Sequence, residues 1–96
     1  MENNDEICYF TLDFTECSTI MEVYDVIRKG LELPDWVGSN LDAFWDSLTG
    51  IMYTPAEITV KYRLGDTQLT GHIEKLIEIM HRAAKRYGEI TVKLSI

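Results

Sequence analysis

Cysteine is scarce in this chain: Cys8 and Cys17 are the only two among 96 residues. Two thiols cannot build a disulfide framework, and neither lies at zinc-ligand spacing from a second cysteine and a histidine pair. A single Cys8–Cys17 bridge is left open by the sequence. Long apolar runs are also missing. None approaches the roughly 18 residues of a membrane span, so no membrane partner is expected. Cationic side chains are few, with nine Lys and Arg against sixteen Asp and Glu, a formal net charge of −7 and a pI near 4.6. Phosphate contacts need Lys and Arg, so direct nucleic-acid binding is disfavoured. The start, Met1-Glu2-Asn3-Asn4-Asp5-Glu6, is acidic and polar, the opposite of a secretion signal. A cytoplasmic location with reduced thiols is therefore expected.

What is present fits one globular domain spanning 1–96. The composition is 46% apolar and 26% charged, too apolar for a disordered chain. The length is well above the roughly 40 residues below which metals or disulfides are usually needed. Charge is lopsided. Residues 1–50 hold eleven acids and two bases, a net −9, whereas residues 51–96 hold five acids and seven bases, a net +2. Such a field steers a basic partner, but an acidic surface also favours solubility, and charge alone leaves both readings open.

Hydrophobic patterning gives the order strand, helix, helix, strand, helix, strand. Ile7-Cys8-Tyr9-Phe10-Thr11-Leu12 is a nearly continuous apolar run and reads as a strand buried on both faces. Thr19-Ile20-Met21-Glu22 matches a capping box, with Ile20, Val23, Tyr24 and Ile27 at helical spacing after it. Gly30 closes that helix, and Pro34 prevents its continuation. A shorter helix is expected from about Ser39 to Thr49, stopping at Gly50. Ile58, Val60 and Tyr62 alternate with Thr59 and Lys61 as a strand. The longest helix carries the stripe Leu69, Ile73, Leu76, Ile77, Met80, Ala84 and Tyr87 and ends at Gly88. Ile90, Val92 and Leu94 mark a last strand. Connections this long suit parallel pairing. The expected fold is α/β: a small three-stranded parallel sheet packed with three to four helices, the fourth being a short turn near residues 63–70.

One segment carries unusual chemistry. On a helical wheel with Leu41 at zero and about 100° per residue, Phe44, Trp45 and Leu48 join Leu41 in a core stripe. Thr49, Asp42 and Asp46 fall near 80°, 100° and 140°, so the two acids share one face with Trp45 at its border. Asp42, three residues after Ser39, has a local explanation as a capping-box or first-turn acid. Asp46 has none. Expected in the last turn, it opposes the helix dipole, and it repels Asp42 by roughly 0.2–0.5 kcal/mol. A partner that needs the charge explains it; a tolerated surface acid is the plainer alternative. Trp36 lies in a loop beside Gly38, a favourable place for an interface aromatic. His72 and His81 are expected to face solvent without metal-ligand spacing. No Ser or Cys sits in a nucleophile motif, and no phosphate loop or metal site is expected.

The run Leu33-Pro34-Asp35-Trp36-Val37-Gly38-Ser39-Asn40-Leu41-Asp42-Ala43-Phe44-Trp45-Asp46-Ser47-Leu48-Thr49-Gly50 closely resembles the signature of the barstar family, bacterial intracellular inhibitors of secreted ribonucleases. That pattern reads roughly Leu-Pro-x-aromatic-x-Gly-x-Asn-Leu-Asp-Ala-Leu-Trp-Asp-x-Leu-Thr-Gly. The likeness extends more loosely over most of the chain, including Gly88 and the last strand. It implies a three-stranded parallel sheet with helices. It also implies that the second helix and its preceding loop plug a ribonuclease active site, with acids in the place of RNA phosphates. By resemblance, Asp46 is the central acid, Asp42 the second, and Trp36 the aromatic that packs on a catalytic histidine. Asn40, Trp45, Thr49 and Gly50 match further contact positions, and Val37 and Gly38, in the loop before the helix, complete the expected partner-binding set. The chain departs from the pattern at Trp36, where the aromatic is often Tyr, and at Ile51, where an aromatic follows Thr-Gly. Ala83 stands where some members carry a late-helix acid, and the cysteines fall elsewhere.

The leading expectation is thus a non-enzymatic immunity protein, monomeric when free, that needs no cofactor and binds a barnase-like or other basic ribonuclease toxin one to one. Two rivals belong to other classes. One is an acidic adaptor for a non-nuclease partner. The other is an enzyme using Asp42 and Asp46 as an acid–base pair.

Overall fold

The structure, a computed structural model, describes residues 6–65 and 67–95. Three strands, β1 (Cys8–Asp13), β2 (Ala56–Lys61) and β3 (Ile90–Ser95), form one parallel sheet in the order β1-β2-β3. Three helices connect them: α1 (Ile20–Gly30) and α2 (Leu41–Gly50) between β1 and β2, and α3 (Gln68–Tyr87) between β2 and β3. The α/β class and the parallel sheet agree with the sequence reading. No separate helical turn forms at residues 63–65 or at Thr67, and Asp66 lies outside the described residues.

The strand order decides where the core sits. Both crossovers step in the same direction across the sheet, and crossovers of one hand that step the same way deliver their helices to the same face. Most of that face is buried: Phe10, Leu12, Ala56, Ile58, Val60 and Ile90 lie on it, and only towards the end of β3 does it open, with Leu94 45% exposed. The register aligns Phe10 with Ile58 and Val92, and Leu12 with Val60 and Leu94. The other face is open. Tyr9 is 71% exposed, Thr11 and Asp13 are exposed, and Glu57, Thr59 and Lys93 on this face are polar, with Lys93 Nζ 3.4 Å from Glu57 Oε1 on the diagonal. The expectation that the first strand is buried on both faces is therefore wrong. Its apolar run includes Tyr9, which stands on the uncovered side.

Helix α1 begins as its sequence specifies. The Glu22 backbone N–H donates to Thr19 Oγ1, and Glu22 Oε1 accepts from the backbone N–H groups of Ser18 and Thr19. Those bonds hold the Glu22 carboxyl below its ordinary range. Its end differs from expectation. Gly30 is the last helical residue, not a left-handed cap. A Cβ there would lie 2.6 Å from Leu12 Cδ2 and 2.8 Å from the Thr11 carbonyl, so this glycine permits α1 to approach β1 closely. Glu32 takes the left-handed position instead, at φ 57°. The Leu33 N–H donates to the Arg28 carbonyl and the Glu32 N–H to the Lys29 carbonyl, the bond pair of a Schellman termination.

Helix α3 starts on Thr67, whose Oγ1 accepts from the Thr70 N–H, and ends on Gly88 at φ 71° as expected. Its buried stripe is Thr70, Ile73, Leu76, Ile77, Met80 and Ala83. Tyr87 is about half exposed, and Ala83 rather than Ala84 faces the core. Cys8 and Cys17 are both free. Burial and the neighbouring Glu22, Asp13 and Asp25 push the Cys17 thiol up, away from reactivity.

Candidate functional site

The Schellman turn sends the chain from α1 into the loop 33–40, and Arg28 fastens that loop. Its guanidinium Nη1 donates to the Val37 carbonyl and to Ser39 Oγ, both at 3.0 Å, while Nη2 donates to Asp25 Oδ1 at 2.7 Å. The Arg28 side chain is only 16% exposed. Leu33 and Val37 are buried on either side of the turn closed by the Val37 N–H on the Pro34 carbonyl. Trp36, between these anchors, is 74% exposed. A large ring held in water by a pinned loop costs apolar exposure that the fold does not recover.

The cap of α2 corrects the sequence reading. Asn40 is the N-cap, its Oδ1 accepting the Ala43 N–H at 2.8 Å. Ser39 serves Arg28 instead, so Asp42 completes no capping box and is simply a first-turn acid. The helix extends to Gly50, which places Asp46 before the last turn and weakens the dipole penalty expected there. Repulsion from Asp42 remains.

The buried side of α2 is Phe44, Ser47 and Leu48, with Leu41 and Trp45 only half-buried. Ser47 is fully buried because its hydroxyl donates to the Ala43 carbonyl at 2.8 Å. Thr49 turns its hydroxyl onto the Trp45 carbonyl at 2.9 Å. Gly50 is exposed, and a Cβ there would meet nothing within 4 Å. Gly38 is likewise exposed, and a Cβ there would make only ordinary contacts. The packing of this chain therefore does not account for either glycine.

Asp42 and Asp46 are both exposed on successive turns. Among the described residues, neither carboxylate forms an ion pair or accepts a side-chain hydrogen bond. Such a pair suits the recognition of cations. The loop and helix thus present an exposed Trp, two acids unpaired among the described residues and two exposed glycines, on one continuous segment.

Residues 8–96 match the family described as Barstar (barnase inhibitor). The chain belongs to the barstar family. A Bacillus subtilis (strain 168) protein carrying the name "Putative ribonuclease inhibitor YrdF" is 30% identical over 73 residues, 75% of this chain and 80% of that protein. The barstar match takes in all three strands and all three helices.

Two details of this barstar-family chain differ from expectation. Ala83 is fully buried against the core, so it does not stand where a late-helix acid would meet a partner. The late α3 side chains beside α2 are Arg82 and Arg86. Sequence reasoning also missed Arg28, because its partners lie nine and eleven residues away in a loop with no periodic pattern. His72 is not free in solvent: its Nε2 lies 2.7 Å from the Tyr24 hydroxyl.

Proposed function

We propose that this chain inhibits a ribonuclease by inserting the loop 33–40 and the acidic face of α2 into the enzyme's active site. The observation that carries the reading is the pair of unpaired, exposed acids, Asp42 and Asp46, beside the outward Trp36 in a barstar-family chain. The name of the YrdF relative supports the same role. In this reading the carboxylates take the positions of RNA phosphates among the enzyme's Arg, Lys and His side chains. Each contact is a charge-assisted hydrogen bond formed in a desolvated interface. Trp36 packs on the catalytic histidine, Trp45 borders the acids, and Gly38, Asn40, Thr49 and Gly50 line the contact, whereas Val37, buried and bonded through its N–H and its carbonyl, holds the loop in shape. Asn40 and Thr49 act by shaping it, since Asn40 Oδ1 and the Thr49 hydroxyl are already bonded within the helix.

The net charge of −9 over residues 1–50 steers a basic enzyme toward this side. The inhibitor works in the cytoplasm as an immunity protein against a ribonuclease toxin, as a monomer that binds one to one. RNA cleavage by barnase and other basic ribonucleases, titrated with the chain, tests the proposal. At least one enzyme is expected to lose activity in proportion and to reach zero at one equivalent. Undiminished cleavage by all of them would instead favour the acidic-adaptor reading.

A further inference from the structure

Beside the acidic face, α2 and α3 enclose an open groove of about 420 Å³. Leu41, Asp42 and Trp45 line it from α2, and Ile79, Arg82 and Arg86 from α3. Its walls differ in charge. Helix α2 carries two acids and no base, whereas residues 81–87 at the end of α3 carry three bases and no acid.

The helix dipole explains Lys85 and Arg86, which lie in the last turn. It does not explain Arg82, which lies before it and one turn from the like charge of Arg86. Neither arginine is well paired internally. Arg82 Nη2 reaches Glu78 Oε1 only at 3.9 Å, between two largely exposed side chains. Arg86 lies 5.7 Å over the Tyr87 ring, and that ring packs 6.3 Å from Trp45. No ion pair joins Asp42 to either arginine among the described residues. An acid and two guanidinium groups thus line one groove with no ion pair between them among the described residues, over a floor of Leu41, Trp45 and Ile79.

We propose that this groove is a specificity surface that takes a carboxylate from the rim of the partner ribonuclease, held by Arg82 and Arg86 next to Trp45. The assignment rests on the ribonuclease reading and deepens it. A guanidinium accepts a carboxylate in a two-pronged geometry, and the aromatic floor excludes water from the contact. The chain then selects an enzyme whose active-site cations are flanked by an acid. A ribonuclease that is basic at that point is repelled, so the same groove works against wrong partners.

A displayed library of catalytically inactive barnase, randomised at the surface positions around its active site, tests this. It is sorted separately on the wild-type chain and on Arg82→Glu/Arg86→Glu, with Arg86→Gln as a milder variant. Thermal melts confirm that these exposed substitutions leave the fold intact. The wild-type chain is expected to enrich Asp or Glu at one or two rim positions, and the double reversal to enrich Lys or Arg there. A wild-type-selected binder should lose at least tenfold in affinity for the double variant and less for Arg86→Gln. Binders retained with no charge preference would overturn the groove assignment alone. If no library member binds either chain and cleavage by every ribonuclease titrated is undiminished, the ribonuclease reading falls and the groove assignment falls with it.

Discussion

Glu32 sits at φ 57°, where a side chain with a Cβ costs roughly 1–2 kcal/mol that glycine avoids. The two backbone bonds that end α1 hold it there, and they aim the loop that bears Trp36. Glu32→Gly is therefore expected to raise stability by about 1 kcal/mol, seen as a higher urea midpoint with an unchanged slope. A lower midpoint would show that the carboxylate has a role beyond the turn. The left-handed residue was not legible in the sequence, because the nearby Gly30 is the obvious candidate for it. Gly30 is needed instead because a Cβ there would collide with Leu12, a residue eighteen positions away. Ser47 was missed for a related reason. A wheel counts it as polar, whereas its bond to the Ala43 carbonyl lets it enter the core.

At the scale of elements, the loop 33–40 depends on α1 through one side chain. Arg28→Ala removes the donor to the Val37 carbonyl and Ser39 Oγ together. It is expected to cost about 1–3 kcal/mol of stability and to weaken ribonuclease binding at least tenfold, mainly by faster dissociation. Arg28→Lys should not restore binding, since one ammonium does not reproduce the planar fork. Melts and dissociation rates of both variants check this, and full binding by Arg28→Ala would mean that the loop is set without the clamp.

Helices α1 and α3 are joined by Tyr24 and His72. Burial raises the Tyr24 hydroxyl, so it stays protonated; it donates to Nε2 in one neutral tautomer of His72 and accepts from Nε2–H in the other. Burial first, and then Lys75, lower the His72 imidazole below its ordinary 6.5. A folded-state pKa below the unfolded one means that the unfolded chain binds the proton more readily. Stability from this pair is therefore complete above about pH 6.5 and is lost as pH falls through the lower folded value. His72→Gln is expected to flatten the decline in melting temperature just below pH 6.5. An unchanged pH profile would remove the pair from that role. The capping box of α1 and the glycine cap of α3 were legible because their partners lie within four residues. This contact joins residues 48 apart and carries no sequence signal.

For the whole molecule, class and parallel pairing followed from the lengths of the crossovers, but the uncovered sheet face did not. It depends on strand order, which periodicity does not encode, and the order β1-β2-β3 gathers every helix on one side. The candidate site is compact in sequence, since Trp36, Asp42, Trp45 and Asp46 lie within eleven consecutive residues, but the helical wheel left the acids a plainer alternative and only the resemblance to the barstar signature gave these side chains roles. The account makes the acidic face of α2 an expense of the free protein that binding recovers. Asp46 tests this most directly, because it is exposed, unpaired among the described residues and one turn from a like charge. In a complex, its removal leaves the enzyme's cations buried without a partner. Truncating such a pair costs about 2–5 kcal/mol or more, a range for which barnase–barstar is itself the reference case. The decisive measurement is the affinity of Asp46→Ala for the inhibited ribonuclease, taken with its thermal melt. The account predicts a melting temperature equal to or slightly above that of the wild-type chain and at least a hundredfold weaker binding. A variant that melts much earlier yet inhibits normally would make Asp46 a structural residue and contradict the account.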